Sequence, residues 1–150
     1  MVARRTRLIA APAQAIWAVV ADPHHFPRWW PGVVRVEGVR GDRFTQVYTS
    51  KRGRAVRMDF RLIASDPPTD GGAARVSFEQ DVAGTPFERV LNQSTTEVAL
   101  DPQAGGTRVT IAQQQRLRGY SRTGGWMLRR ATARRLQEAL ESLERLTATD

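Results

Sequence analysis

The sequence predicts an α+β fold: an antiparallel sheet of about six to seven strands, two short helices after the first strand, and one long helix at the C-terminal end. Three observations carry this. Beyond residue 33, most of the chain alternates apolar with polar residues, the period of half-buried strands. Tight turns such as Gly41-Asp42 and Lys51-Arg52-Gly53 separate these runs. Only residues 126–147 hold a helical period over many turns. With so few helices, the sheet must bury its apolar face on the last one.

Residues 2–9 form the first strand, with Arg4 among the polar residues on one side. Pro12 suits a first helical position, where its missing N–H costs nothing. Ile16, Val19 and Val20 then give a short helix one apolar face, and Asp22-Pro23 ends it because a residue before proline is pushed out of the helical region. Residues 24–30 are long enough for a second short helix, closed by Pro31-Gly32, and 33–39 is strand two.

Strand three covers 44–50. A three-residue hairpin loop at 51–53, with glycine in its left-handed last position, places Tyr48 opposite Val56, Gln46 opposite Met58 and Phe44 opposite Phe60. A four-residue loop would turn Phe44, Gln46 and Tyr48 to the other face. Strand four, 55–64, sets Val56, Met58, Phe60 and Leu62 against Arg57, Asp59 and Arg61. After the loop at 65–72, residues 74–82 place Val76, Phe78, Gln80 and Val82 on one side. Residues 87–100 read as a further strand, bent or bulged at 92–96. A turn at 101–106 leads to the last strand, 107–117, with Val109, Ile111, Gln113, Gln115 and Leu117 in phase. On the long helix, Leu136, Leu140 and Leu143 mark the buried stripe. Leu128, Ala139 and Leu146 widen it, and Arg130, Arg134 and Arg135 fall toward solvent.

The 150 residues suit a single domain, 1–150, with a sizeable core. No run approaches the ~18 apolar residues of a membrane span. The basic start is followed by too short an apolar run for a signal peptide, so the expected location is cytoplasmic. The chain has no cysteine, which removes disulfides and thiolate chemistry. Its net charge is +8, carried by one lysine, Lys51, and twenty-two arginines. Such a charge attracts anionic ligands, lipid headgroups or nucleic acid with salt-sensitive strength.

Few residues offer chemistry. His24 and His25 are the only histidines, and no carboxylate cluster stands at ligand spacing, so neither a metal nor a cofactor is expected. One of the two could act as a general acid or base; the plainer reading is a solvated or capping pair. There is no nucleophile elbow and no glycine-rich phosphate loop, and Asp59 between Arg57 and Arg61 reads as an exterior charge ladder. The Gly124-Gly125 pair before the long helix is only weak support for an anion site. Trp29 and Trp30 divide between packing and partial exposure. Tyr48, Gln80, Gln113 and Gln115 are a set of polar groups on apolar strand faces, and the hairpin register puts Gln46 on the same side as Tyr48. They need partners. A cavity supplies them; so would strand ends open to water.

The run Ala11-Pro12, Ile16-Trp17, Asp22-Pro23, Phe26-Pro27, Trp29-Trp30-Pro31 and Val36-Glu37 resembles the entry segment of the START-like (SRPBCC) superfamily, which includes polyketide cyclase/dehydrase-like and birch-pollen-allergen-like proteins. The resemblance implies a helix-grip fold, with a curved sheet wrapped on the C-terminal helix and a cavity between them. On the faces read above, that cavity would be lined by Trp30, Phe44, Gln46, Tyr48, Val56, Met58, Phe60, Phe78, Gln80, Ile111, Gln113 and Trp126. Three function classes stay open. One is binding, transport or sensing of a hydrophobic small molecule such as a lipid, isoprenoid or polyketide. The second is a cyclase or dehydratase, with Tyr48, His24 and His25 as the available proton-transfer groups. The third is a basic surface for RNA, a ribosome or an anionic membrane. In the sequence the basic residues lack aromatic interleaving, so specific DNA binding is not expected. A monomer and a homodimer are equally compatible.

Overall fold

The computed structural model describes residues 1–119 and 125–149. Seven strands form one antiparallel sheet: β1 (Val2–Ile9), β2 (Val33–Arg40), β3 (Arg43–Thr49), β4 (Ala55–Asp66), β5 (Ala74–Gln80), β6 (Leu91–Gln103) and β7 (Gly106–Leu117). Their order is β1-β7-β6-β5-β4-β3-β2, so β2 to β7 make a continuous meander and β1 closes beside β7. Helix α1 (Ala13–Val20), a 3₁₀ turn (Pro23–His25) and α2 (Phe26–Trp29) lie between β1 and β2, and α3 (Gly125–Thr147) follows β7. This is the helix-grip arrangement.

The hairpin after β3 takes the register that the three-residue loop requires. Tyr48 pairs with Val56, Gln46 with Met58 and Phe44 with Phe60. Gly53 takes the left-handed conformation at φ +77. Two expectations change. Residues 87–90 are not strand: Thr85 caps a 3₁₀ turn at Pro86–Arg89, its hydroxyl accepting from the Phe87 N–H, and β6 begins only at Leu91. The second short helix is likewise split, a 3₁₀ turn capped by Asp22 preceding the four residues of α2. The irregularity expected in β6 falls between Leu91 and Gln93.

The core lies where α1, α2 and α3 cover the concave face of the sheet. Helix α3 buries Thr132, Ala133, Leu136, Ala139, Leu140 and Leu143, while Leu128 is half-buried and Leu146 exposed, so the buried stripe is narrower than expected. Phe26 of α2 stacks on Trp29 and on Phe44, with ring centroids 5.4 Å apart in each case, and Phe60 stacks on the far side of Phe44. The Thr107 hydroxyl donates to the Ala11 carbonyl at 2.8 Å, pinning the chain after β1 to the start of β7. Close by, Gly106 has backbone so near Ile9 that any Cβ would sit 2.1 Å from its carbonyl oxygen.

A candidate ligand cavity

Each inward face of the sheet changes character along its length. On β7, Val109 and Ile111 are fully buried in core, and the next inward residues are Gln113 and Gln115. On β6 the same line runs from Leu100 and Val98 to Thr96 and Ser94; on β5, from Val76 and Phe78 to Gln80; on β3, from Phe44 to Gln46 and Tyr48. The helices fill the apolar end. The polar end faces a cavity of about 500 Å³.

Its apolar wall comes from Trp30, Val56, Met58, Phe60 and Phe78, together with Phe87 of the 3₁₀ turn and Leu91 at the start of β6. Its polar groups are Gln46, Tyr48, Thr49, Ser50, Gln80, Ser94, Thr96, Gln113, Gln115 and Arg135. Some of these satisfy one another. The Tyr48 hydroxyl donates to Gln46 Oε1 at 2.6 Å, Gln113 Nε2 donates to Thr96 Oγ1 at 3.0 Å, and Gln115 Nε2 donates to Ser94 Oγ at 3.4 Å. Yet each of the four glutamines keeps one buried amide atom without a protein partner: Nε2 of Gln46 and Gln80, and Oε1 of Gln113 and Gln115. A buried amide left unpaired costs about 1–3 kcal/mol. Four around one cavity make it a place suited to a molecule with hydrogen-bonding oxygens or hydroxyls.

Among the described residues, Tyr48 and Arg135 are the ionisable side chains of the lining. Burial pushes the Tyr48 phenol up to about 12, with the Arg135 charge and Trp30 opposing the rise. At neutral pH it is therefore a neutral hydrogen-bond donor. Gly32 lets the Pro31-Gly32 turn pack on the Tyr48 ring: its φ is +86, and a Cβ there would lie 3.2 Å from Tyr48 Cδ1.

Of the residues expected to line the cavity, Trp30, Gln46, Tyr48, Val56, Met58, Phe60, Phe78, Gln80 and Gln113 do so. Phe44 and Ile111 do not. They share the inward face, but Phe44 lies in the aromatic stack and Ile111 in the core, where helices cover the sheet. Trp126 is 67% exposed on the outer side of α3, beside β1. Trp29 and Trp30 are both buried, so neither takes the partly exposed place expected for one of them. His24 and His25 are absent from the lining. The His24 ring pairs with Asp22 at 2.9 Å on the surface, and His25 Nδ1 accepts from Arg28 Nη1 at 3.2 Å. Against partial desolvation, the backbone N–H of His24, its ring and, least, His25 hold the Asp22 carboxyl below its usual range. Arg135, read as a solvent-side residue, stands at the cavity edge. Ser94, Thr96, Phe87 and Leu91 were missed as lining residues. For Thr96 a signal existed, since it is in phase with Val98 and Leu100. Gly124, of the glycine pair before α3, lies outside the described residues.

A family model described as polyketide cyclase / dehydrase and lipid transport matches residues 2–148. The chain belongs to that family. Its solved structural relatives include the di-domain ARO/CYC BexL from the BE-7585A biosynthetic pathway, at 26% identity and a TM-score of 0.73, covering 97% of this chain and 45% of that one. A START superfamily protein from Mycobacterium smegmatis matches at 13% identity and a TM-score of 0.70, over 95% and 94% of the two chains. DR_A0006 from Deinococcus radiodurans matches at 21% identity and a TM-score of 0.66, over 97% and 95%. No curated protein matches by sequence. The polyketide cyclase/dehydrase and START-like fold thus accounts for the seven-stranded sheet, its long C-terminal helix and the space between them.

Proposed function

We propose that this chain binds a hydrophobic, oxygen-bearing small molecule in the cavity, as a carrier or sensor. The observation that carries this reading is the set of four glutamines, each holding an unpartnered buried amide atom against an otherwise largely aromatic wall. Pockets for such ligands are mostly apolar with a few placed polar groups. Each free amide atom can meet a keto oxygen or a hydroxyl, which matches an oxygen-bearing molecule better than a plain hydrocarbon tail.

The cyclase or dehydratase reading has one observation on its side. Tyr48 and Arg135 stand together in the lining, where they could polarise a carbonyl oxygen. Aldol closure also needs a base to take a carbon-bound proton. Tyr48 stays protonated at neutral pH, and both histidines are away from the cavity. Binding is therefore the favoured function.

Native mass spectrometry of the protein purified from its own host, followed by extraction of any bound molecule, tests it. The expected result is near-unit occupancy by a molecule with an apolar body and several oxygens, lost in a Met58→Arg variant that keeps its far-ultraviolet circular dichroism. Normal uptake by that variant would overturn the cavity assignment. Conversion of the extracted molecule by the apo protein would move the reading to the enzyme.

A further inference from the structure

The sheet's outer face neutralises most of its arginines. Arg35, Arg43, Arg57, Arg61 and Arg75 each lie within 4 Å of a carboxylate. A different pattern holds where β1 meets α3. Arg4, Arg5, Arg129 and Arg130 line one surface depression there, and Arg116 and Arg129 line the adjoining one. Among the described residues, no carboxylate lines either depression and none of the five arginines lies within 4 Å of one. In the midst of this charge stands Trp126, with Val2 lining the same depression and Met127 next in the chain. Their exposures are 67%, 48% and 60%. The aromatic interleaving that the linear sequence lacks is thus supplied in space, by bringing residues 2–5 against 126–130.

We propose that this face is a docking surface for anionic lipid bilayers. Five unneutralised guanidinium groups select a negatively charged surface, and arginine reaches phosphates while laying its apolar stem inward. An indole prefers the headgroup level of a membrane. Val2, exposed in the same depression as Trp126, decides between a bilayer and RNA. Aliphatic side chains gain by entering the acyl boundary but offer nothing for base stacking or base-edge hydrogen bonding. One end of the face adjoins a strand pair that reaches the cavity: Gly125 neighbours Leu117, which pairs with the cavity residue Leu91. No helix of the described residues is long and apolar enough to cross a membrane, so the docking is peripheral. It stands independently of what the cavity holds.

Co-sedimentation with vesicles tests it. Vesicles of phosphatidylcholine mixed with phosphatidylglycerol should bind the protein, vesicles of phosphatidylcholine alone should not, and added salt should weaken the association. Arg129→Glu with Arg130→Glu should lower affinity at least about tenfold, whereas Arg57→Glu on the outer sheet should leave it nearly unchanged. Because the chain has no cysteine, a Trp126→Cys variant can carry a single environment-sensitive fluorophore, whose emission should shift to the blue on docking. Equal binding to both vesicle types, an unshifted fluorophore, or tighter binding to single-stranded RNA through the same arginines would each overturn the proposal.

Discussion

At Gln80, function and stability pull in opposite directions. Its Nε2 is buried without a partner, and the residue is 8% exposed. Replacing an unpaired buried amide with an apolar side chain of similar length removes a desolvation penalty. Gln80→Met should therefore raise stability by about 1 kcal/mol, a gain of roughly 2–4 °C in Tm for a chain of this size. The same change should weaken binding of an oxygenated ligand. Thermal melts with and without ligand check both halves. Tyr48 makes a different prediction. Its phenol titrates near 12 in the folded protein, against 10.0 ordinarily. The unfolded chain loses that proton first, so stability is fully present below pH 10 and falls as pH rises toward 12. Denaturant melts across that window should show the decline, and Tyr48→Phe should flatten it. These residues also show where sequence reasoning ends. The register that brings Gln46 and Tyr48 inward follows from one glycine at the hairpin. Whether an inward residue meets core or cavity does not, because that depends on which helix covers it. Phe44 and Tyr48 look alike from the strand alone; Phe26 of α2, stacked on Phe44, separates them.

Among the elements, α3 closes the core over the sheet with a stripe of buried residues. Leu140 is fully buried on its stripe. Leu140→Ala should cost about 3–4 kcal/mol, read as a lower denaturant midpoint. The Arg7–Glu144 pair, 2.9 Å long and about one-third exposed on both sides, also joins α3 to β1. Arg7 holds the Glu144 carboxyl below its usual range. Its contribution should be under about 1 kcal/mol, present above the ordinary carboxylate range and fading as pH falls. Glu144→Gln measured at low and high salt should confirm that it is small and screened. The helix was legible from its leucine spacing, but its edges were not. A helical period locates the centre of a buried stripe; the flanking positions depend on how far the sheet curls around it. Hence Arg135 came to the cavity edge and Trp126 went outside. The 3₁₀ turn at Pro86–Arg89 was signalled by Thr85-Pro86, a cap and a first-turn proline, though the apolar residues after it read as strand.

For the whole molecule, a ligand that binds the folded state alone stabilises it by mass action, by about 2.7 kcal/mol at a hundredfold excess over Kd. Amphipathic polycyclic phenols or ketones should thus raise Tm in a concentration-dependent way, while straight alkanes of similar volume should raise it less. The architecture itself was legible because each strand alternates and each hairpin is short. The closure of β1 on β7 was less so, since nothing local records a pairing between residues more than a hundred positions apart.

That pairing has a consequence for how the protein comes into being. Val2 lies beside Gln114, and Ile9 beside Thr107. The meander from β2 to β7 can assemble hairpin by hairpin as it leaves the ribosome, at roughly 5–20 residues per second. The first strand must wait until β7 has been made for its neighbour, and α3, which packs across it, comes later still. A strand made before the whole meander is therefore among the last to dock, and the inner face of the sheet stays open until it does. Contacts this distant in sequence slow folding. During that interval the apolar lining is the newborn chain's most exposed hydrophobic surface, and a chaperone, or the ligand itself, would find it there.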